Sequence, residues 1–371
     1  MMAGDEQPFK NSGVYGGAPS SAPQLPPIGE AAYRSLRNHG RGTLMYDLIA
    51  LGEVMLRMSP PRYERLRRAR TLDVQVVGSQ LNVAANLARW GKHTAFVSKL
   101  PDNEFGLLAV DVCMSYGVDM SHVPLVSGAR MGVNYLEFSK TPRPMTAVYD
   151  RKGSAASTTT PQDFDWEALV RGARVVYTDG IFPGLSASCR EAATAYLGTA
   201  KRVGRITGFD VNYREHLWTT ETARECWSTL LPLVDVVVTN RGVSEGVFGF
   251  TGTDEEIARQ YHDMFGCQLV TVTTREIMGV ESGAWSSIAL YESKIIEGRR
   301  YTFDIVDRYG TGDVFTAGLI YGYLEGDVQF ALNYANAACA LAHTIEGDIA
   351  HLRPSEITPM LNETIDLRVR R

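Results

Sequence analysis

The chain has 371 residues, 44% of them hydrophobic and 21% charged, with a formal net charge of -5 at neutral pH. That balance belongs to a globular protein with chain enough for a large core, organised as one α/β domain with a small appendage or as two domains. The mild acidity excludes the global field that draws a protein onto nucleic acid, and no apolar run approaches the roughly 20 residues of a membrane helix.

Residues 1 to 44 carry Pro8, Pro19, Pro23, Pro26 and Pro27, many glycines and few large apolar groups. Such a stretch cannot bury enough surface to offset its ordering entropy, so a disordered leader is expected there. The globular part, residues 45–371, opens on Tyr46-Asp47-Leu48-Ile49-Ala50-Leu51-Gly52-Glu53, an apolar run closed by glycine that reads as a buried strand. After Gly78, the residues Leu81, Ala84, Ala85 and Ala88 recur on one helical face, and Gly91 is a natural stop. Further strands are predicted near Thr94–Ser98, Arg174–Thr178, Ile206–Asp210, Val234–Thr239 and Leu269–Thr273, mostly with helical patterns between them. Alternating strand and helix implies a mostly parallel central sheet flanked by helices. Residues 54–77 and 126–157 break the alternation and read as a small β lid. The run Arg62, Arg65, Arg67, Arg68 and Arg70 in the first of them reads as a solvated edge. Cys113, Cys189, Cys226, Cys267 and Cys339 are scattered and form no C-x-x-C pair, which fits a reducing cytoplasm rather than a disulfide framework or a zinc site.

The densest chemistry lies in Val306-Asp307-Arg308-Tyr309-Gly310-Thr311-Gly312-Asp313-Val314-Phe315. Gly310 and Gly312 bracket Thr311 at the start of an apolar helix. Glycines let backbone amides turn toward one point, and a helix N-terminus adds the favourable end of its dipole. Together they make an anion hole suited to a phosphoryl group in flight. Asp313 falls in the opening turn, where a carboxylate can accept a proton from an attacking hydroxyl. There is no G-x-x-x-x-G-K-[ST] loop and no H-R-D catalytic loop in the chain.

Gly310–Asp313 with Val314-Phe315-Thr316-Ala317-Gly318 resembles the second signature of the ribokinase-like carbohydrate kinases, the phosphofructokinase-B family. Val77-Gly78-Ser79-Gln80-Leu81-Asn82-Val83-Ala84 resembles the first, although Val77 stands where glycine is usual. Thr311 stands where that family prefers a small residue, and Val243 replaces the acid of its Asn-x-x-Glu segment, with Glu245 two positions later. The resemblance implies a ribokinase-like fold, ATP and Mg2+ as co-substrate and cofactor, Asp313 as general base, and the amides of Gly310, Thr311 and Gly312 around the transferring phosphate. It also implies ATP contacts from Asn212, Asn240 and Thr273, a magnesium role for Glu245, and a homo-oligomer, a dimer by analogy, paired through its lids.

Within the family the chain is most similar to the 2-keto-3-deoxygluconate kinases, through Asp210-Val211-Asn212-Tyr213-Arg214 and Tyr149-Asp150-Arg151. By that resemblance Gly78, Asn82, Tyr135, Tyr149, Arg151 and Arg214 bind the sugar, with Arg214 on its carboxylate. The chemistry agrees, because a guanidinium meets a planar carboxylate with two parallel hydrogen bonds. The expected reaction is ATP-dependent phosphorylation of a sugar acid to its 6-phosphate. A kinase of the same fold acting on fructose, a nucleoside or a deoxy-inositol acid, and a non-catalytic sugar sensor, are the alternatives. His216, Trp218 and Trp285 are expected to be structural, and Tyr321, Tyr323, Ala337, Ala338 and Leu341 to pack two late helices near the adenine.

Overall fold

The computed structural model describes residues 46–140, 142–279 and 281–362. The expected leader and the last nine residues lie outside the described residues. Among the described residues sixteen strands form: β1 Tyr46–Leu51, β2 Met55–Ser59, β3 Asp73–Val77, β4 Thr94–Val97, β5 Leu100–Pro101, β6 Val118–Asp119, β7 Leu125–Val126, β8 Gly132–Glu137, β9 Thr146–Asp150, β10 Ala173–Asp179, β11 Ile206–Asp210, β12 Val236–Asn240, β13 Leu269–Ile277, β14 Ser282–Tyr291, β15 Lys294–Glu297 and β16 Tyr301–Asp304. The longer helices are α1 Ser79–Arg89, α2 Glu104–Ser115, α3 Ala187–Arg202, α4 Thr220–Leu230, α5 Asp254–Phe265, α6 Thr311–Leu324 and α7 Val328–Ala342.

The large sheet runs β15-β14-β13-β12-β11-β10-β1-β4-β6, with β16 also on β14. From β13 to β6 every pairing is parallel; β14, β15 and β16 add antiparallel strands at one end. Successive residues of a strand face opposite sides. Leu48, Ala50, Val175 and Tyr177 therefore enter the core under α1, α6 and α7, while Ile49, Leu51, Val176 and Val237 enter the one under α3, α4 and α5. Trp285 belongs to the first core and Trp218 to the second, as expected, and Tyr321, Tyr323 and Leu341 pack against the first.

After β1 the chain winds outward through β4 and β6, then returns to β10 on the other side of β1. The winding direction reverses between β1 and β10, and crevices outside the carboxyl ends of strands at such a point are where open α/β sheets bind ligands. Glu53, Asp179 and Asp210 all fall there.

A second sheet, β3-β2-β8-β9, comes from the two segments that broke the alternation. The arginine run lies in the connection between β2 and β3, and all five of its residues are exposed. The five cysteines are free thiols, four of them buried. Among the described residues no helix is long and apolar enough to cross a membrane.

Candidate active site

A cavity of about 500 Å³ opens at the carboxyl ends of β1, β10 and β11, between the large sheet and the inner face of the small one. Its walls include Glu53, Gly78, Ser79, Asn82, Asn134, Tyr149, Arg151, Asp210, Asn212, Arg214, His216, Arg308, Gly310, Gly312, Asp313 and Asp348.

The α6 turn forms as its glycines require. Gly310 has φ 69°, and a Cβ there would lie 2.0 Å from the Asp348 carbonyl oxygen, so a side chain is excluded on both counts. As the first residues of α6, Thr311, Gly312 and Asp313 have amides with no carbonyl four residues back in the helix. The Thr311 hydroxyl donates to the Arg308 carbonyl at 3.1 Å, within the turn. Gly78 is fixed by close approach, since a Cβ there would sit 2.3 Å from the Glu53 carbonyl oxygen.

Asp313 is only 9% exposed. Ser79 donates to its Oδ1 at 2.7 Å, and Asn82 donates its amide to Oδ2 at 2.7 Å. Asn212 donates to the Ser79 hydroxyl at 2.9 Å and to Asp179 at 3.1 Å. The Asp179 carboxylate also accepts from the amides of Ile181 and Phe182 and from Gln80. Asp210 accepts from Thr316 at 3.2 Å. Buried Asp313 and Asp179 and half-buried Asp210 thus sit within one network, and the three cannot all ionise freely. Burial pushes Asp313 up to about 8, with Asp210 and Asp179 adding to the effect against the Ser79 and Asn82 bonds. Burial and Asp179 push Asp210 up to about 7, and burial raises Asp179 as well.

Arg214 is exposed at the cavity wall and makes no ion pair or side-chain hydrogen bond with a described residue. Arg308, half-buried beside the α6 turn, is likewise without an acidic partner among them. Arg151 is different. Its Nε donates to Glu53 at 2.8 Å, a second guanidinium nitrogen bonds the same carboxylate, and Ser154 holds the other Glu53 oxygen at 2.7 Å. Arg151 lines the cavity, but its fork is committed to a buried glutamate. His216 stacks on Tyr149 with ring centroids 4.3 Å apart and planes 13° from parallel, joining the small sheet to the loop after β11. Burial and the nearby Arg151 and Arg214 lower its pKa.

Tyr135 does not reach the cavity. The cross-strand row Gln75, Arg57, Asn134 and Tyr149 faces inward, and the next row, Val74, Met58, Tyr135 and Val148, shares the other face. Asn134 lines the cavity in its place. Asn240, the last residue of β12, is the Cα partner of Thr273 in the middle of β13, outside this cavity. Asn240 accepts from the Val243 amide at 3.0 Å and so caps a short helical turn, and Thr273 donates to the Thr239 carbonyl at 3.1 Å. The chain then runs through a π turn, Ser244–Phe248, that leaves Glu245 exposed and away from the cavity. Asn212, expected on the nucleotide, instead bonds Ser79 and Asp179. Among the described residues no three acidic, histidine or cysteine side chains cluster as a metal site. A nucleotide-bound magnesium ion needs only one or two carboxylates beside the phosphates, and Asp210 is a cavity-lining carboxylate that fits that need.

Ser79, Glu53, Asp179 and Asn134 were not singled out as site residues by the sequence reading. Position at a strand end was the available signal for Glu53 and Asp179.

Comparison with known proteins matches this architecture. The family model described as pfkB family carbohydrate kinase matches residues 45–354. The 2-dehydro-3-deoxygalactonokinase of Haloferax volcanii is 34% identical over 316 residues, covering 85% of this chain and 96% of its own. The 5-dehydro-2-deoxygluconokinase of Clostridium perfringens is 27% identical, covering 80% of this chain and 86% of its own. The crystal structure of the 2-dehydro-3-deoxygluconokinase of Thermotoga maritima superposes with a TM-score of 0.81 at 34% identity, covering 85% of this chain and 98% of its own. With the two signatures, the ribokinase-like fold and a match across nearly all the described chain, this protein belongs to the pfkB family and is an ATP-dependent carbohydrate kinase.

Proposed function

We propose that the chain phosphorylates a 2-keto-3-deoxy sugar acid, 2-keto-3-deoxygluconate foremost, at its 6-hydroxyl, with Asp313 as general base. The observation that carries the reading is an unpaired guanidinium, Arg214, on the wall of the cavity that also holds Asp313. A desolvated carboxylate needs a cationic partner, and Arg214 has no acid of its own to satisfy. The sugar hydroxyl gives its proton to Asp313 as its oxygen attacks the γ-phosphorus, the bond from that phosphorus to the β–γ bridging oxygen breaks and ADP leaves, and the amides of Thr311 and Gly312 stabilise the charge on the transferring group. Arg308, at the same turn, is placed to neutralise phosphate. Magnesium, when bound, neutralises the nucleotide phosphates, with Asp210 as the facing carboxylate; we keep no metal role for Glu245. The nucleotide would be held past Asn240, the last residue of β12, and the adjacent Thr273 of β13.

The Clostridium perfringens relative is named for a different keto-deoxy acid, and that substrate carries a carboxylate too. Turnover of ATP with both keto-deoxy acids, fructose and a nucleoside ranks the readings. We expect kcat/KM on a 2-keto-3-deoxy acid to exceed that on any neutral sugar by ~10-fold or more, the worth of one charge-assisted bond. A neutral sugar that matches it sinks the acid-sugar reading.

The base assignment has a pH consequence. With Asp313 at about 8 in the unliganded enzyme, its proton-accepting form is lost as pH falls below that value. Hence kcat/KM should decline below pH about 8, not near the ordinary carboxylate range. Asp210→Asn removes a neighbouring charge and should shift that limb to lower pH. A profile flat from pH 5 to 8 contradicts the assignment.

We also propose an assembly through the small sheet. Its outward row carries Val74 at 47% and Val148 at 53% exposure beside Tyr135 and Met58. We assign this face to a second copy of the chain. Light scattering should give a dimer for the native protein and a monomer for Val74→Glu with Val148→Glu; an unchanged mass for the double variant, or a monomeric native protein, rejects the assignment.

A further inference from the structure

Across the four strands of the small sheet, Gln75, Arg57, Asn134 and Tyr149 stand side by side on the face turned to the cavity. Three of these neighbours are already engaged. Arg57 bonds both Asp348 and Gln75, and Tyr149 stacks on His216. Asn134 makes no side-chain hydrogen bond with a described residue, although it is only 4% exposed and its Oδ1 is fully buried. Leaving a buried amide oxygen unpaired is costly, and one on the wall of a ligand cavity is accounted for by a bound ligand that satisfies it. Asn82 also has an unpaired Oδ1, but its amide nitrogen is committed to Asp313, so it belongs with the base.

We infer that Asn134 is a specificity-determining residue that binds a secondary hydroxyl of the substrate and so selects between epimers of the sugar acid. This rests on the sugar-acid reading above. A hydroxyl donates and accepts through one atom, and an amide offers both a carbonyl and an NH2 group, so the two are matched partners. The hydroxyl that is phosphorylated goes to Asp313 on α6, and the carboxylate goes to Arg214 after β11. Asn134, on β8, meets a third part of the molecule. Inverting the carbon that bears this hydroxyl points it away and leaves the buried amide unpaired. A site built to hydrogen-bond a hydroxyl rejects a ligand that cannot supply it far more strongly than an apolar pocket does. Similarity does not choose an epimer, since a 2-dehydro-3-deoxygalactonokinase and a 2-dehydro-3-deoxygluconokinase are each 34% identical to this chain.

The test measures kcat/KM for 2-keto-3-deoxygluconate and for its C4 and C5 epimers, with native enzyme, Asn134→Leu and Asn134→Ser. Native enzyme should separate one epimeric pair by ~10-fold or more, the worth of one lost hydrogen bond, and both variants should bring that ratio to within about 3-fold. Their effect should fall on the favoured epimer, and the acid limb of the pH profile should stay where it is. Melting temperature qualifies each variant, and serine serves where leucine does not fold. A native enzyme indifferent to every epimer, or variants that keep the native ratio, overturns the inference. If native enzyme ignores all the acids but phosphorylates a neutral sugar, the sugar-acid reading has failed, and Asn134 stands or falls on the same ratio measured with epimers of that sugar.

Discussion

Asp313→Asn lowers kcat by ~10²–10⁴-fold, the ordinary cost of losing a general base, while the Kd for ATP changes little. The base sits in a network that its own charge destabilises, and this supplies a second readout. Asp313 holds its proton up to about 8 in the folded protein, against an ordinary value of 3.8. Between those two values the unfolded chain binds fewer protons than the folded one, so stability falls as pH climbs from 3.8 toward about 8. Asparagine has no proton to lose. The melting temperature of Asp313→Asn, relative to native enzyme, should therefore rise as pH is raised from 5 to 9. An inactive variant that is also relatively more stable at alkaline pH has lost a base and not its fold. Retention of more than about a tenth of native kcat, below even the smallest such effect, sinks the assignment. A melting-temperature difference that stays constant with pH would mean the carboxylate is not held protonated.

Asp313 was legible in the sequence because its chemistry is local. Two glycines at fixed spacing, one of them at positive φ, open an apolar helix, and the carboxylate follows at once. The strands at the carboxyl edge were equally legible, since buried parallel strands read as short apolar runs. What escaped depends on pairing between distant segments. Glu53 and Arg151 are 98 positions apart, and only the folded chain shows that the arginine's fork is already taken. The choice between Asn134 and Tyr135 is a matter of one residue, and one residue reverses the face of a strand. A sequence segment rich in aromatic and apolar side chains does not say which face the sugar will meet. Position at a strand end was the one signal Asp179 gave, and it is a weak one because a strand-ending aspartate is common. Its weight comes from lying beside Asp210 and Asp313, which raises the proton affinity of both.

In the proposed function Arg214 carries the choice of substrate, and its removal has the other large expected effect. The charges around the cavity narrow the field: Arg57 bonds Asp348, Arg151 bonds Glu53, and Arg214 and Arg308 stand without acidic partners among the described residues. Arg308 lies at the phosphate end, beside Gly310, whereas Arg214 follows β11 on the wall near Tyr149 and His216. A charge-assisted hydrogen bond is worth about 1.5–3 kcal/mol, so Arg214→Ala should cut kcat/KM for a 2-keto-3-deoxy acid by about 10- to 100-fold or more. Arg214→Lys should recover only part of that loss, because lysine restores the charge without the planar fork. A neutral sugar, where it is accepted, should lose much less. Arg308→Ala is the internal control. A phosphate contact serves every sugar, so its loss should fall equally on acid and neutral substrates. Losses from Arg214→Ala that are equal on both substrate types would make Arg214 a structural residue and leave the substrate carboxylate without a partner in this cavity.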